Sequence, residues 1–246
     1  MIMEMRAGYI ENPKTKGSGI VCAIPQTGEC PNKCEDCFFQ SGRSYLEPLD
    51  ENLPNLPIPS EVFNKVIRIN DGNDSNNRRG LVQTTAQCYH QFFFNTATPK
   101  TLGAFPGPVV LTINPAKKTD KSWHKVEPVP NNLMFVRIRV NMWNIDNVVI
   151  PAVKYYTEQG VPVVFTYMAY YTTTVPEEHQ GSYTYKKRTT NSYWVLNREE
   201  QKRIMDLFDD NPLVHECGYK GTHSCKHCGN CLREYFATKE RMEMKK

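Results

Sequence analysis

Six short apolar runs, rich in β-branched and aromatic residues and bounded by turn residues, constrain the fold of this chain more than any other feature. They cover residues 19–24, 92–94, 109–113, 134–140, 161–167 and 213–215. Runs of this length without polar alternation suit strands buried on both faces, as in a parallel sheet. Helical spacing is expected between them over residues 60–70, with Ser60 as N-cap and Val62, Phe63, Val66 and Ile67 on one side. Residues 77–90, 146–159 and 197–209 read as further helices. Alternating strand and helix imply an α/β fold with right-handed crossovers, either an open doubly wound sheet or an incomplete barrel. The Pro-rich stretch 47–59 reads as an extended connection, and the polar stretch 170–191 as an insertion able to cover a site.

A chain of 246 residues, 39% hydrophobic, can bury one substantial core, so two independent domains are not required. The net charge of +4 permits an acidic partner without demanding one. Residues 1–16 carry no apolar signal-peptide core, and no apolar run is long enough to span a bilayer. The expected location is therefore the cytoplasm, with no membrane partner. There, nine cysteines clustered at short separations favour metal ligation over disulfides.

Cys30, Cys34 and Cys37 follow the first strand at Cys-x3-Cys-x2-Cys spacing. Three thiolates on one loop can hold a corner of a cubane cluster and leave its fourth iron open. Zinc bound with a remote fourth ligand is the alternative, although structural zinc sites favour paired Cys-x2-Cys knuckles. Cys217, Cys225, Cys228 and Cys231 can close a second, four-thiolate shell around a [4Fe-4S] cluster or a zinc ion. His215, His223 or His227 could substitute for one of those ligands. Cys22 and Cys88 have no partner at ligand spacing and read as small buried residues.

The spacing of Cys30, Cys34 and Cys37, and their place after the first strand, resemble the radical S-adenosylmethionine superfamily. Segments 93–96, 132–141 and 228–236 are similar to uncharacterised members encoded by bacteriophages. The resemblance implies a partial (β/α)6 TIM-like barrel over residues 1–216, with residues 217–246 as a cysteine-rich metal-binding extension of the same globular unit. It also implies a [4Fe-4S] cluster on Cys30, Cys34 and Cys37 that cleaves S-adenosylmethionine to a 5′-deoxyadenosyl radical, which then takes hydrogen from a substrate. An electron donor such as flavodoxin or ferredoxin would be a partner, and a phage source would make the location the host cytoplasm. The chain departs from the family pattern twice. Asp36 stands where an aromatic residue usually precedes the third cysteine, with Phe38 and Phe39 just after it, and residues 95–98 replace a Gly-Gly-Glu-like segment.

In parallel α/β folds, ligands gather at the carboxyl ends of the strands. Asn95, Thr96, Asn114, Arg139 and Asn141 follow apolar runs there and are the candidates for cofactor binding, together with Thr166 and Tyr167. Arg139 suits a carboxylate best. The competing account is that strand ends are polar because they emerge into solvent. His90, His124 and His179 are isolated and read as surface or helix residues. Residues 183–188 interleave tyrosines with cations, which suits a nucleic acid or, equally, a solvated edge strand. No motif names the substrate; a nucleic acid or nucleotide, a peptide and a small metabolite all stay open. Two non-enzymatic readings stand beside the radical one: a zinc-stabilised nucleic-acid-binding or interaction module, and a non-catalytic iron–sulfur protein.

Overall fold

The structure, a computed structural model, describes residues 8–115, 122–171, 175–189, 191–218 and 224–244. In chain order its elements are β1 (Ile20–Ala23), α1 (Leu49–Asn52), β2 (Val66–Ile69), α2 (Arg79–Ala86), β3 (Phe92–Thr96), β4 (Val109–Ile113), β5 (Leu133–Val140) and α3 (Ile150–Glu158). They continue with β6 (Val163–Tyr167), β7 (Ala169–Tyr170), β8 (Tyr183–Lys186), β9 (Tyr193–Leu196), α4 (Arg198–Asp206), β10 (Val214–Glu216), α5 (Cys225–Cys228) and α6 (Asn230–Glu243).

Strands β1 to β6, then β10, lie side by side in chain order, and every neighbouring pair is parallel. A right-handed crossover that always steps in the same direction places its helices on one face. A doubly wound sheet needs a reversal of strand order, and this order does not reverse. The sheet instead curls into a seven-stranded half-barrel.

Alternation along the strands separates two cores. Ile67, Ile69, Phe94, Leu111, Val136, Ile138 and Phe165 pack outward against Val82 and Ala86 of α2, Val153 and Tyr156 of α3, and Ile204 of α4. Val66, Phe93, Val110, Phe135 and Val164 point to the opposite, inner face, where Tyr235 of α6 closes over them. The Arg241 guanidinium at the end of α6 donates to Leu133 O at 2.7 Å and Asn131 O at 3.0 Å, at the amino-terminal start of β5. The C-terminal helix thus plugs the base of the half-barrel from inside.

Several sequence expectations are corrected. Residues 60–70 form a short 3-10 turn (Pro59–Val62) and then β2, not a helix. In four residues the apolar positions satisfy both periods, and pairing with β1 and β3 selects the strand. The sheet accordingly has seven strands rather than six. Connection 47–59 contains the one-turn helix α1. Within residues 170–191 lies β8, the edge strand of a small antiparallel sheet ordered β7-β9-β8. Cys88 is exposed just beyond α2, not buried within a helix. Among the described residues no helix is long and apolar enough to cross a membrane.

Candidate metal and cofactor site

The loop after β1 carries Cys30, Cys34 and Cys37 to the carboxyl ends of the strands. Cys30 is buried, and Cys34 and Cys37 are half-buried. The Asn77 amide donates to Cys30 Sγ at 3.4 Å, and the Asn114 side chain bonds Cys34. Burial raises both thiols, against the hydrogen bonds that favour their thiolates. A metal must therefore displace protons to bind them, so its affinity depends on pH.

Three residues hold this loop against the barrel. Arg139 on β5 donates to Asn114 Oδ1 at 2.8 Å and to the Asp36 carbonyl at 3.4 Å. Asp36 is itself buried, and its carboxylate accepts the Tyr171 N–H at 2.7 Å. Asp74, on the loop after β2, accepts from Thr96 Oγ1 at 2.7 Å, Ala97 N at 2.7 Å and Asn32 Nδ2 at 2.9 Å. One buried carboxylate thereby ties the cysteine loop to the end of β3. The sequence reading missed Asp74 because it took β2 for a helix and so did not see the next loop as a strand end.

The structure divides the other candidates. Asn114 and Arg139 stand beside Cys34. Thr96 is buried, donating to Asp74 and accepting from Asn76 Nδ2 at 2.8 Å. Asn95 points inward, giving its amide to Ile69 O at 3.1 Å and accepting from Arg137 at 3.3 Å. Asn141 is fully buried, and its amide serves Pro115 O at 3.2 Å and Trp143 N at 3.0 Å. Asn114 and Arg139 are thus the two candidates that the fold brings to the cysteine loop.

The second set lies along the junction of β10 and α6. Cys217 donates to Cys228, whose thiol is drawn down to about 5 by that bond, while Cys217 is pushed well up. Cys231 is raised by burial despite the Arg137 and Arg68 guanidiniums nearby, and Cys225 and Cys228 act on it as neighbours. His223 lies outside the described residues. Cys225 is anchored through its N–H to Lys14 O at 2.9 Å. This set lies against the inner face, below the first.

Cys22 is buried, as expected, but in polar company. The Arg68 guanidinium donates to its sulfur at 3.3 Å, and Asn12 approaches it at 3.7 Å. Arg68 and Asn12 both donate to Asp71.

Among the described residues no three His, Cys, Asp or Glu side chains gather as around a single metal ion. A cubane asks for a different arrangement, because each thiolate takes its own iron and the sulfurs need not converge on one point. Three thiols on one loop, supported by neutral amide donors and a guanidinium, fit that donor set chemically. No family model, curated protein or solved structure matches the chain.

Proposed function

We propose that this protein is a radical S-adenosylmethionine enzyme whose [4Fe-4S] cluster is held by Cys30, Cys34 and Cys37, on a partial TIM-like barrel with a cysteine-rich C-terminal extension. The observation that carries the reading is the position of the cysteine loop. It sits at the carboxyl ends of a sequentially ordered parallel half-barrel, clamped there by Arg139 and Asp74. Held there by Cys30, Cys34 and Cys37, a reduced cluster would supply the one electron for reductive cleavage of S-adenosylmethionine, and so hydrogen-abstraction chemistry, with methionine leaving.

The chain's own residues hold and orient. Arg139, half-buried beside Cys34, offers a cation to the carboxylate of the methionyl group, while its bond to Asn114 fixes the guanidinium. The Asp36 carboxylate is committed to the Tyr171 N–H, so Phe38 and Tyr171 supply the aromatic surface beside the loop, their ring centroids 6.2 Å apart. Cys217, Cys225, Cys228 and Cys231, which do not converge as around a single metal ion, would hold a second [4Fe-4S] cluster where β10 meets α6. An electron donor such as a flavodoxin or ferredoxin and an unknown substrate complete the partners, and the setting is the cytoplasm.

The test is 5′-deoxyadenosine formation by anaerobically reconstituted protein with S-adenosylmethionine and a strong reductant, beside a Cys30→Ala, Cys34→Ala, Cys37→Ala variant. Product from the wild type and none from the variant is the expected result. No product from wild-type protein carrying its full iron would overturn the proposal.

A further inference from the structure

The small sheet stands against the cysteine loop, and two contacts fix it there. Tyr171, just beyond β7, bonds Asp36, and Asn191, before β9, donates to Ser41 O at 2.9 Å and Gly42 O at 3.2 Å while accepting from Arg43. The antiparallel register sorts the sheet's faces. Tyr170, Tyr183, Trp194 and Leu196 turn to the core, and Tyr193 and its partner Lys186 turn the other way. On that outer side the Tyr171 and Tyr193 rings lie 5.5 Å apart, and the Arg43 guanidinium sits over both, at 5.2 and 4.3 Å. Arg188 approaches Tyr193 at 5.7 Å, and Lys14 lies 4.9 Å over the exposed Phe38 ring.

Among the described residues, Arg43, Lys186 and Arg188 form no ion pair. Lys186 and Arg188 are exposed, while Tyr171 and Tyr193 are half-buried. Aromatic faces interleaved with unpaired cations match a ligand that offers flat π-systems and negative charges at alternating positions, as a single strand of nucleic acid does. A duplex keeps its bases stacked on one another, and an acidic peptide offers charge without the rings.

We propose that this outer face of the β7-β9-β8 sheet, with Phe38 and Arg43, docks a single strand of nucleic acid and leads it to the mouth beside Cys30, Cys34 and Cys37. The strand's role as substrate rests on the radical reading; its binding does not. Bases stack on the planar Arg43 guanidinium, which Tyr171 and Tyr193 support from beneath, and Lys186 and Arg188 contact phosphates.

The experiment is fluorescence anisotropy of a labelled, mixed-sequence single strand, as DNA and as RNA, with anaerobically reconstituted full-length protein over a salt series. The wild type is expected to bind at low salt. The Lys186→Ala, Arg188→Ala double variant replaces exposed side chains and should keep its fold. It is expected to bind at least about tenfold more weakly, with a log–log salt slope lower by about 1.4, since each lost phosphate contact on a single strand removes about 0.7. Tyr193→Leu should weaken binding by roughly 5- to 150-fold and Tyr193→Phe should restore it, in line with about 1–3 kcal/mol per stacked base. Lys202→Ala, on exposed α4, should bind like the wild type. The proposal is overturned if neither strand binds, if the double variant binds like Lys202→Ala, or if duplex or polyglutamate competes as well as the single strand. Lost binding with 5′-deoxyadenosine formation intact removes the docking face and spares the radical reading. Binding without that product removes the radical reading and keeps the face.

Discussion

The Tyr171 backbone N–H donates to the Asp36 carboxylate at 2.7 Å, joining the end of β7 to a residue between Cys34 and Cys37. Asp36 is 4% exposed and takes a left-handed backbone, φ 49°, which an aspartate tolerates better than an aromatic side chain. The aspartate at this position therefore has a local reason to be there. Asp36→Ala leaves a buried donor unmet and should cost about 1–3 kcal/mol in urea unfolding. Asp36→Asn, which keeps an acceptor, should cost less. Limited proteolysis gives a second check: cleavage within the β8–β9 connection should rise in Asp36→Ala and stay near wild type in Asp36→Asn.

Arg68 and Asp71 form an ion pair under the N-terminal segment, with side chains 11% and 14% exposed. Burial alone would raise the Asp71 carboxyl, but Arg68, with help from Asn12, holds it below its ordinary 3.8. The unfolded chain thus binds the proton more readily than the folded one. Stability from this pair is present above pH 3.8 and is lost as the pH falls through the lower folded value. Arg68→Met should cost about 3–5 kcal/mol at neutral pH by stranding the carboxylate. Adding Asp71→Leu should recover much of that loss and flatten the acid limb of a denaturation series. An acid limb as steep in the double variant as in the wild type would contradict the assignment.

The cysteine spacing and the apolar runs made much of this architecture legible. Residues 109–113 and 134–140 read as strands buried on both faces, and they are β4 and β5. Val66, Ile67 and Ile69 were ambiguous because four residues are too few to separate a period of two from one of 3.6. That ambiguity hid the loop after β2, and with it Asp71 and Asp74, whose roles depend on where β2 ends. Nor did the sequence show which face of the sheet Tyr235 covers, since chain order does not tell whether a terminal helix lies outside a curled sheet or inside it. Cys22 was legible as buried, yet its contacts with Arg68 and Asn12 are long-range and leave no local pattern.

Gly72 lies under the cysteine loop. A Cβ there would stand 2.0 Å from the Phe39 ring, two residues beyond Cys37, so the ring would have to leave its seat. Gly72→Ala should destabilise by about 1–3 kcal/mol and lower the iron retained after reconstitution. Phe39→Ala alone should cost about 3–5 kcal/mol through the cavity it opens. The double variant should cost less than the sum of the two, because the same contact is removed twice. Additive losses in urea titrations would show that Phe39 does not rest on Gly72.

The Cys217–Cys228 bond makes a prediction about reactivity in reduced, metal-free protein. A thiol drawn below the ordinary 9.0 by a donated hydrogen bond carries more thiolate at pH 6 than an ordinary cysteine, and the thiolate is the nucleophile. Cys228 should therefore be alkylated by iodoacetamide at that pH ahead of the more exposed Cys88, as read by peptide mapping. Cys217→Ala removes the donor and should move the midpoint of Cys228 labelling up towards 9.0. Adding zinc, or iron with sulfide, should suppress labelling of Cys217, Cys225, Cys228 and Cys231 together if these thiolates share one centre, and leave Cys88 reactive. Labelling of Cys88 before Cys228 in the metal-free protein would show that the bond does not form. Protection of Cys228 alone would show that the four cysteines do not share a metal.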